Sequence, residues 1–361
     1  MNGSSHAKDE PLAPDEVDAA FLKLVDSRHL LLAVSGGPDS LALLITIAGW
    51  LDRAGRKPRV SVATVDHGLR AESAAEAEAV ARISAGFGLA HATLRWHGEK
   101  PAHGIQEAAR AARYRLLADH AAAIGADCIA TAHHGDDQAE TVLMRLAAGS
   151  GIAGLAAMRP RVAVAPSLCL ARPFIAIPKA RLAATVTAAG LVPTDDPSNR
   201  DPTYARARLR GPAARAAAAT LGLTRERLVR LAARAARADE ALASVAQAEA
   251  ARLIHPFAEG NGGVEILAEI FRLPEELMLR VLERAIAEAA GGATSPTMPL
   301  RLERLEALAS SLRRAQAAGS TMRATLAGML VALDAGGRVR ITPEPPRRRG
   351  RRAPEKPPTS G

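Results

Sequence analysis

Leu30-Leu31-Leu32-Ala33-Val34-Ser35-Gly36-Gly37-Pro38-Asp39-Ser40 runs directly into Leu41-Ala42-Leu43-Leu44-Ile45. The apolar run 30–34 reads as a short buried strand. A glycine pair ends it, and a helix follows from about Asp39. A tight strand–helix turn aims backbone amides and the positive end of a helix dipole at one spot, which suits a phosphate or pyrophosphate. The lysine-bearing GxxxxGK[ST] loop is absent, so this is not that kind of nucleotide site; the alternative is an ordinary glycine-rich strand–helix turn.

Outward from this turn, short apolar runs alternate with alanine-rich helical stretches from about Glu16 to Leu191. Strands are predicted at 30–34, 59–65, 91–95 and 127–132, and helices at 39–54, 71–87, 104–124 and 136–148. Such alternation implies a parallel sheet covered on both faces, with its ligand beyond the carboxyl ends of the strands. Residues 193–210 form a polar connector holding Asp196-Pro197 and Asp201-Pro202. Beyond it the pattern turns helical. From Arg225 to Ile254 the apolar positions Leu228, Leu231, Ala235, Ala238, Leu242 and Val245 define a seam, with Thr224 as N-cap. Arg227, Arg230, Arg234 and Arg237 run beside that seam, either as a solvated face or as a contact for a polyanion. Helices are predicted at 274–290 and 299–318, and a hairpin of 325–333 with 338–342 around Gly336-Gly337. The expected organisation is a disordered N-terminus (1–15), a catalytic domain (16–212), a helical substrate domain ending in the hairpin (213–345) and a disordered basic tail (346–361).

The 361 residues carry a net charge of +9. The tail contributes +5 and the first twenty residues −4, so the body between them keeps +8. The basicity belongs to the body and invites a polyanionic partner. Aromatic residues make up only 2% of the chain, which argues against stacking platforms of the RRM or OB type and leaves arginine to make most contacts. No apolar run approaches a membrane span, and the first twenty residues are polar and acidic rather than signal-like. Cys128 and Cys169 are too few for a disulfide framework or a CxxC metal site, so the chain reads as a reduced, cytoplasmic protein with no membrane partner. A homodimer is compatible with this reading.

Five further segments carry chemistry-bearing residues: Asp66-His67-Gly68-Leu69-Arg70; Gln106-Glu107 through Arg110, Arg113 and Tyr114; Thr131-Ala132-His133-His134-Gly135-Asp136-Asp137-Gln138-Ala139-Glu140; Gly149-Ser150-Gly151 with Gly154-Leu155; and Asp196-Pro197-Ser198-Asn199 with Arg206, Arg208 and Arg210 downstream. The 35–40 turn resembles the pyrophosphate loop of N-type ATP pyrophosphatases. The ordered set from about residue 28 to 212 resembles the tRNA(Ile)-lysidine synthase family. The second half matches less, chiefly at Leu326-Ala327-Gly328 and the strands after it.

The resemblance implies an α/β fold: a parallel sheet of the adenine-nucleotide α-hydrolase-like (PP-loop) type with a smaller, mainly helical second domain. It also implies a reaction. ATP adenylates O2 of the wobble cytidine in an isoleucine tRNA with a CAU anticodon, releasing pyrophosphate; the ε-amine of free L-lysine then attacks C2 and AMP departs. Ser35, Gly36, Gly37, Pro38, Asp39, Ser40, Asp66 and His67 would bind ATP, with Asp39 the first choice for Mg²⁺. The lysine amine must lose a proton, and His133, Asp136 and Asp137 are candidates for base, second metal ligand or lysine anchor. Acids in a first helical turn also compensate the helix dipole, so both readings stay open here. Arg70, Arg110, Arg113, Arg206, Arg208 and Arg210 would contact tRNA. The last three are expected in an extended segment facing phosphate; the competing view has them neutralising nearby aspartates. The alternatives for the whole chain are a 2-thiolating PP-loop enzyme, against which the 41-residue separation of the cysteines counts, and a non-enzymatic nucleotide- or RNA-binding protein.

Overall fold

A computed structural model of the protein describes residues 10–53, 58–68, 73–98, 100–101, 104–194, 205–257, 263–291 and 300–344. The chain forms two compact units, Met1–Ala236 and Arg237–Gly361. The division falls downstream of the 212/213 boundary expected from composition. No described helix is long and apolar enough to cross a membrane.

The first unit is built on six strands: β1 (His29–Ala33), β2 (Arg59–Asp66), β3 (Ala90–Arg95), β4 (Cys128–Ala130), β5 (Arg161–Ala165) and β6 (Leu168–Ala171). Their spatial order is β3-β2-β1-β4-β6-β5, parallel except for the antiparallel edge strand β5. Strand β1 is central, and Leu30, Leu31 and Leu32 have no exposed surface. Side chains alternate across a strand. Leu30 and Leu32 therefore enter one core, with Phe21 of α1 (Pro14–Phe21), Leu41, Leu44 and Ile47 of α2 (Pro38–Arg53), and Leu182 and Val186. Leu31 enters the opposite core with Ala63, Ile129, Leu170 and Leu117. The helices α3 (Ser73–Gly86), α4 (Ile105–Ile124), α5 (Gly135–Ala147) and α7 (Lys179–Ala188) fall between strands or follow them, with a short α6 (Ile152–Leu155) after α5. The chain leaves β1 for β2 and β3 on one side and returns to β4 on the other. That reversal opens a crevice between the carboxyl ends of β1 and β4, where open α/β sheets bind ligands.

The β5–β6 pair and α7 were not anticipated, because Val162-Ala163-Val164 and Leu168-Cys169-Leu170 are short runs broken by Pro166. Residues 205–210 are also a correction. They form helix α8 (Ala205–Arg210) instead of an extended segment, so Arg206, Arg208 and Arg210 do not share a side by period-two alternation. Helix α9 (Pro212–Thr220) follows, then α10 (Arg225–Leu253). On α10 the buried positions are Leu228, Ala232 and Ala235, continuing as Ala246, Ala250 and Leu253, while Leu231 and Val245 are exposed. The buried seam thus keeps Leu228 and Ala235 as expected but takes Ala232 and Ala246 in place of Leu231 and Val245, leaving Arg227, Arg230, Arg234 and Arg237 exposed.

The second unit holds an antiparallel sheet ordered β7 (Ile254–Pro256), β8 (Val264–Ile266), β11 (Val339–Pro343), β10 (Met329–Leu333) and β9 (Met322–Leu326), with α11 (Glu275–Ala289) and α12 (Leu302–Ala317). Leu253, Ile266, Met278, Leu282, Leu312, Val331 and Ile341 form its core. The run expected as one strand over 325–333 is broken by Ala327 and Gly328, both at positive φ (53° and 78°), which turn β9 back onto β10.

Candidate functional site

The loop after β1 is braced by its own side chains. Ser40 Oγ accepts from the Ser35 amide (3.1 Å) and donates to the Gly37 carbonyl (3.0 Å), closing the turn that begins α2. Gly36 lies at φ +87°, and a Cβ there would sit 3.0 Å from Thr194 Oγ1. The Gly36 carbonyl accepts from the Thr194 amide (3.1 Å), so the segment after α7 holds the loop from outside. The amides that open a helix have no intrahelical acceptor, and α2 opens at the carboxyl end of β1, beside the crevice.

Across the crevice, the β4 exit presents a histidine–carboxylate cluster centred on His134. Its ring is buried, with Nε2 3.5 Å from Asp39 Oδ2 and 3.4 Å from Asp137 Oδ2. His134 is also the N-cap of α5: Nδ1 accepts from the Asp137 amide (3.3 Å), and Asp137 Oδ2 accepts from the His134 amide (3.2 Å). Burial opposes charge on this ring, yet the hydrogen bond to Asp39 and the charges of Asp137, Asp39 and Asp136 raise its pKa. Burial likewise pushes against ionised Asp39. The His134 hydrogen bond and the charges of His134, Lys179 and Arg210 outweigh it and hold the Asp39 carboxyl below its ordinary value.

Neighbouring cations complete the cluster. Lys179 Nζ lies 3.7 Å from Asp39 Oδ2, and the Lys179 amide donates to Asp136 Oδ2 (2.8 Å). Arg210 grips both carboxylate oxygens of Glu140 (2.6 and 3.0 Å) and reaches Asp137 Oδ1 at 3.4 Å. The Glu140 hydrogen bond is the main reason its guanidinium pKa rises despite burial. Arg225 Nη1 approaches Asp136 at 3.7 Å. The Gly135 amide donates to the Ile177 carbonyl (2.7 Å), and a Cβ on Gly135 would lie 3.0 Å from that oxygen. The β4 exit and the segment after β6 therefore meet at a close contact that a side chain at 135 would have to push apart.

A third group gathers where β2 and β3 end. Asp66 Oδ1 accepts from the Gly68 amide (2.9 Å), and His67 Nε2 lies 3.1 Å from Arg113 Nη2. Trp96 stands perpendicular to His67 with ring centroids 6.2 Å apart, and Lys100 Nζ lies 4.1 Å over the indole. Arg110 covers the Tyr114 ring at 5.1 Å. Residues expected to serve ATP (Asp66, His67) and tRNA (Arg110, Arg113) thus share one patch.

Asp39, Asp136 and Asp137 converge as a group around His134, and His133 Nδ1 lies 2.9 Å from Thr131 Oγ1. Of the arginines expected as an exposed strip, Arg210 turns inward to Glu140 and Asp137, and Arg208 is exposed. This is the internal-neutralisation view with different partners from those expected. Arg70 and the Arg206 side chain lie outside the described residues, as do Asp196-Pro197-Ser198-Asn199 and the basic tail. His134, Glu140 as an Arg210 partner, Lys179 and Trp96 were missed as site residues. The first had a signal: His134 followed three residues later by Asp137 is a capping-box spacing.

Asp39 Oδ1 is buried with no hydrogen-bond partner, a bare carboxylate oxygen of the kind a hard divalent cation takes. No three His, Cys, Asp or Glu side chains among the described residues form a ready metal cage. Mg²⁺ fits this pattern, since it is held by one or two carboxylates together with substrate phosphates.

Fold and loop together define a PP-loop enzyme of the ATP-using, tRNA-modifying kind, and residues 13–215 match the family described as a PP-loop domain. The fold is similar to that of the U34-tRNA thiolase NcsA from Methanococcus maripaludis, with a TM-score of 0.53 and 15% identity, covering 61% of this chain and 77% of that one. The chain belongs to the tRNA(Ile)-lysidine synthase family, a family of ligases. It is 51% identical to the tRNA(Ile)-lysidine synthase of Methylobacterium nodulans (89% of this chain, 92% of the relative) and 45% identical to that of Rhodopseudomonas palustris (96% and 99%).

Proposed function

We propose that this protein joins free L-lysine to C2 of the wobble cytidine in isoleucine tRNA with a CAU anticodon, using ATP to activate the cytidine O2. The observation that carries the reading is the meeting of the braced pyrophosphate loop with the Asp39–His134–Asp137 cluster across the β1/β4 crevice. Loop amides and the Ser35 hydroxyl receive the β- and γ-phosphates, and the patch around Asp66 and His67 receives the adenosine. Mg²⁺, held by Asp39, would screen charge developing on the phosphates as O2 attacks the α-phosphorus and pyrophosphate leaves. Lys179, 3.7 Å from Asp39, adds a cation beside the departing group.

The second step needs an unprotonated amine near C2. Asp137 and Glu140 form an anionic pair neutralised by Arg210, and a lysine ammonium can share it. The carboxylate cluster takes the proton as the amine attacks, and AMP leaves. A 2-thiolating chemistry on this scaffold would need a thiol open to substrate. Cys128 is fully buried and Cys169 packs against the same core, which favours the lysine reading.

The test incubates the protein with ATP, labelled lysine and the CAU isoleucine tRNA. Lysine should enter the wobble base with one pyrophosphate and one AMP released per event. Folded protein and intact tRNA giving pyrophosphate without lysine incorporation would overturn the assignment.

A further inference from the structure

Cys128 and Cys169 are the only cysteines in the chain, and nothing in their sequence separation relates them. The sheet does. Strands β4 and β6 pair in parallel with Cys128 directly opposite Cys169, so both side chains leave the same face. Neighbouring strands lie about 4.7–4.9 Å apart, inside the Cα separation of about 4.4–6.8 Å that a disulfide spans. Cys128 has no exposed surface, whereas Cys169 is half-buried near the edge.

The edge strand β5 adds a charge. Its Ala163 opposes Cys169 and its Arg161 opposes Ala171, which puts the Arg161 side chain on the cysteine face, one step along. The neighbouring Cys128 sulfur and the Arg161 guanidinium lower the Cys169 pKa to about 7, against burial and the charge of Asp127, while the Cys169 sulfur and burial push Cys128 up. Cys169 is thus the more acidic thiol of the pair, and Cys128 lies beside it on the same face.

We propose that Cys128 and Cys169 form a peroxide-sensitive dithiol that closes reversibly to a disulfide linking β4 to β6. The Cys169 thiolate attacks one oxygen of hydrogen peroxide, breaking the O–O bond, releasing hydroxide and leaving a sulfenic acid. The Cys128 sulfur then attacks that sulfur and displaces its hydroxyl, which leaves as water with the Cys128 proton. Two electrons pass from the thiols to the peroxide, and the S–S bond forms.

The experiment treats the full-length protein with a small excess of hydrogen peroxide, then quenches and denatures it. Thiol count, intact mass, peptide mapping and a non-reducing gel are the readouts. Both thiols should disappear together, the mass should fall by two hydrogens, the protein should run as a single chain, and dithiothreitol should restore both thiols. In Cys128→Ser a dimedone-reactive sulfenic acid should accumulate at Cys169. In Cys169→Ser the remaining thiol should oxidise roughly tenfold or more slowly, because the thiolate is the nucleophile. Sulfinic acid at Cys169 beside an untouched Cys128, a cross-link between two copies, or two surviving thiols would each overturn the proposal. The wild-type readouts decide the matter if either serine variant fails to fold.

Discussion

His134 stands between two carboxylates that a nucleotide site needs close together but that repel when both are ionised. Its ring offers one nitrogen toward Asp39 and Asp137 and caps α5 with the other. Replacing it with alanine removes the N-cap of α5 and leaves the buried oxygens of Asp39 and Asp137 without its hydrogen bond, and should cost about 1–3 kcal/mol in urea or thermal unfolding. An unchanged midpoint would remove it from that role. Asp39→Asn addresses chemistry instead. It keeps the shape but removes the charge expected to hold Mg²⁺, so pyrophosphate release should vanish while tRNA affinity, measured by filter binding, stays nearly unchanged. Pyrophosphate release near the wild-type rate would relocate the metal. At this scale the sequence was a good guide to residue types and a poor one to directions. Asp39, Asp136 and Asp137 were readable because a glycine turn and a first helical turn fix where they sit. His133 and His134 were not distinguishable, since which of two adjacent histidines turns inward depends on the backbone at the β4 exit.

Elements show the same division between local and non-local information. Strand β1 and helix α2 follow from a continuous apolar run and a glycine pair. The β5–β6 pair depends on edge pairing that no local pattern announces, and the β9–β10 turn uses Ala-Gly where Asn-Gly would have been legible. Ala327 at φ 53° is in a region that disfavours a Cβ by about 1–2 kcal/mol. Ala327→Gly should therefore raise the unfolding midpoint of the second unit slightly, once the entropy glycine adds to the unfolded chain is set against that relief. Strands β8 and β11 are joined by Glu265, which accepts from Arg338 (2.9 Å) and Arg340 (2.9 Å). Burial works against its charge, but the two guanidiniums win and lower its pKa from 4.5. A depressed carboxyl contributes stability above its unfolded pKa and loses it as pH falls through the folded one. Glu265→Gln should thus be destabilised by up to about 1 kcal/mol near neutrality and should converge on wild type in acid. A gap that widens in acid would reverse the sign. Gly135→Ala tests the clip between the β4 and β6 exits: a Cβ 3.0 Å from the Ile177 oxygen must displace one of them, at about 1–3 kcal/mol.

For the whole molecule, the excess of positive charge finds a surface in α10. Arg227, Arg230 and Arg234 are exposed, and among the described residues the first two are held by backbone carbonyls, Gly222 for Arg227 and Glu226 for Arg230. If they meet tRNA phosphates, the triple alanine variant should bind more weakly, and its log–log salt slope should shrink by about 0.7–0.9 for each phosphate no longer neutralised. Thermal stability should barely change, because none of the three sits in the buried seam; a lower melting temperature with an unchanged slope would make them a structural face. Aromatic residues are scarce in the composition, and their placement has an optical result. The two tryptophans are Trp50, packed edge-on against Phe21 in the first core, and Trp96, beside His67 and under Lys100. Tyr114 and Tyr204 also precede residue 237, so the second unit carries no indole or phenol at all. Indole and phenol fluorescence therefore reports on the first unit alone, whereas far-ultraviolet dichroism sees both. Denaturation followed by the two signals separates the unfolding of one unit from that of the other without a label. Within the fluorescent unit Trp50 is buried in the core, so an emission change on adding ATP that is lost in Trp96→Phe would come from the indole beside His67.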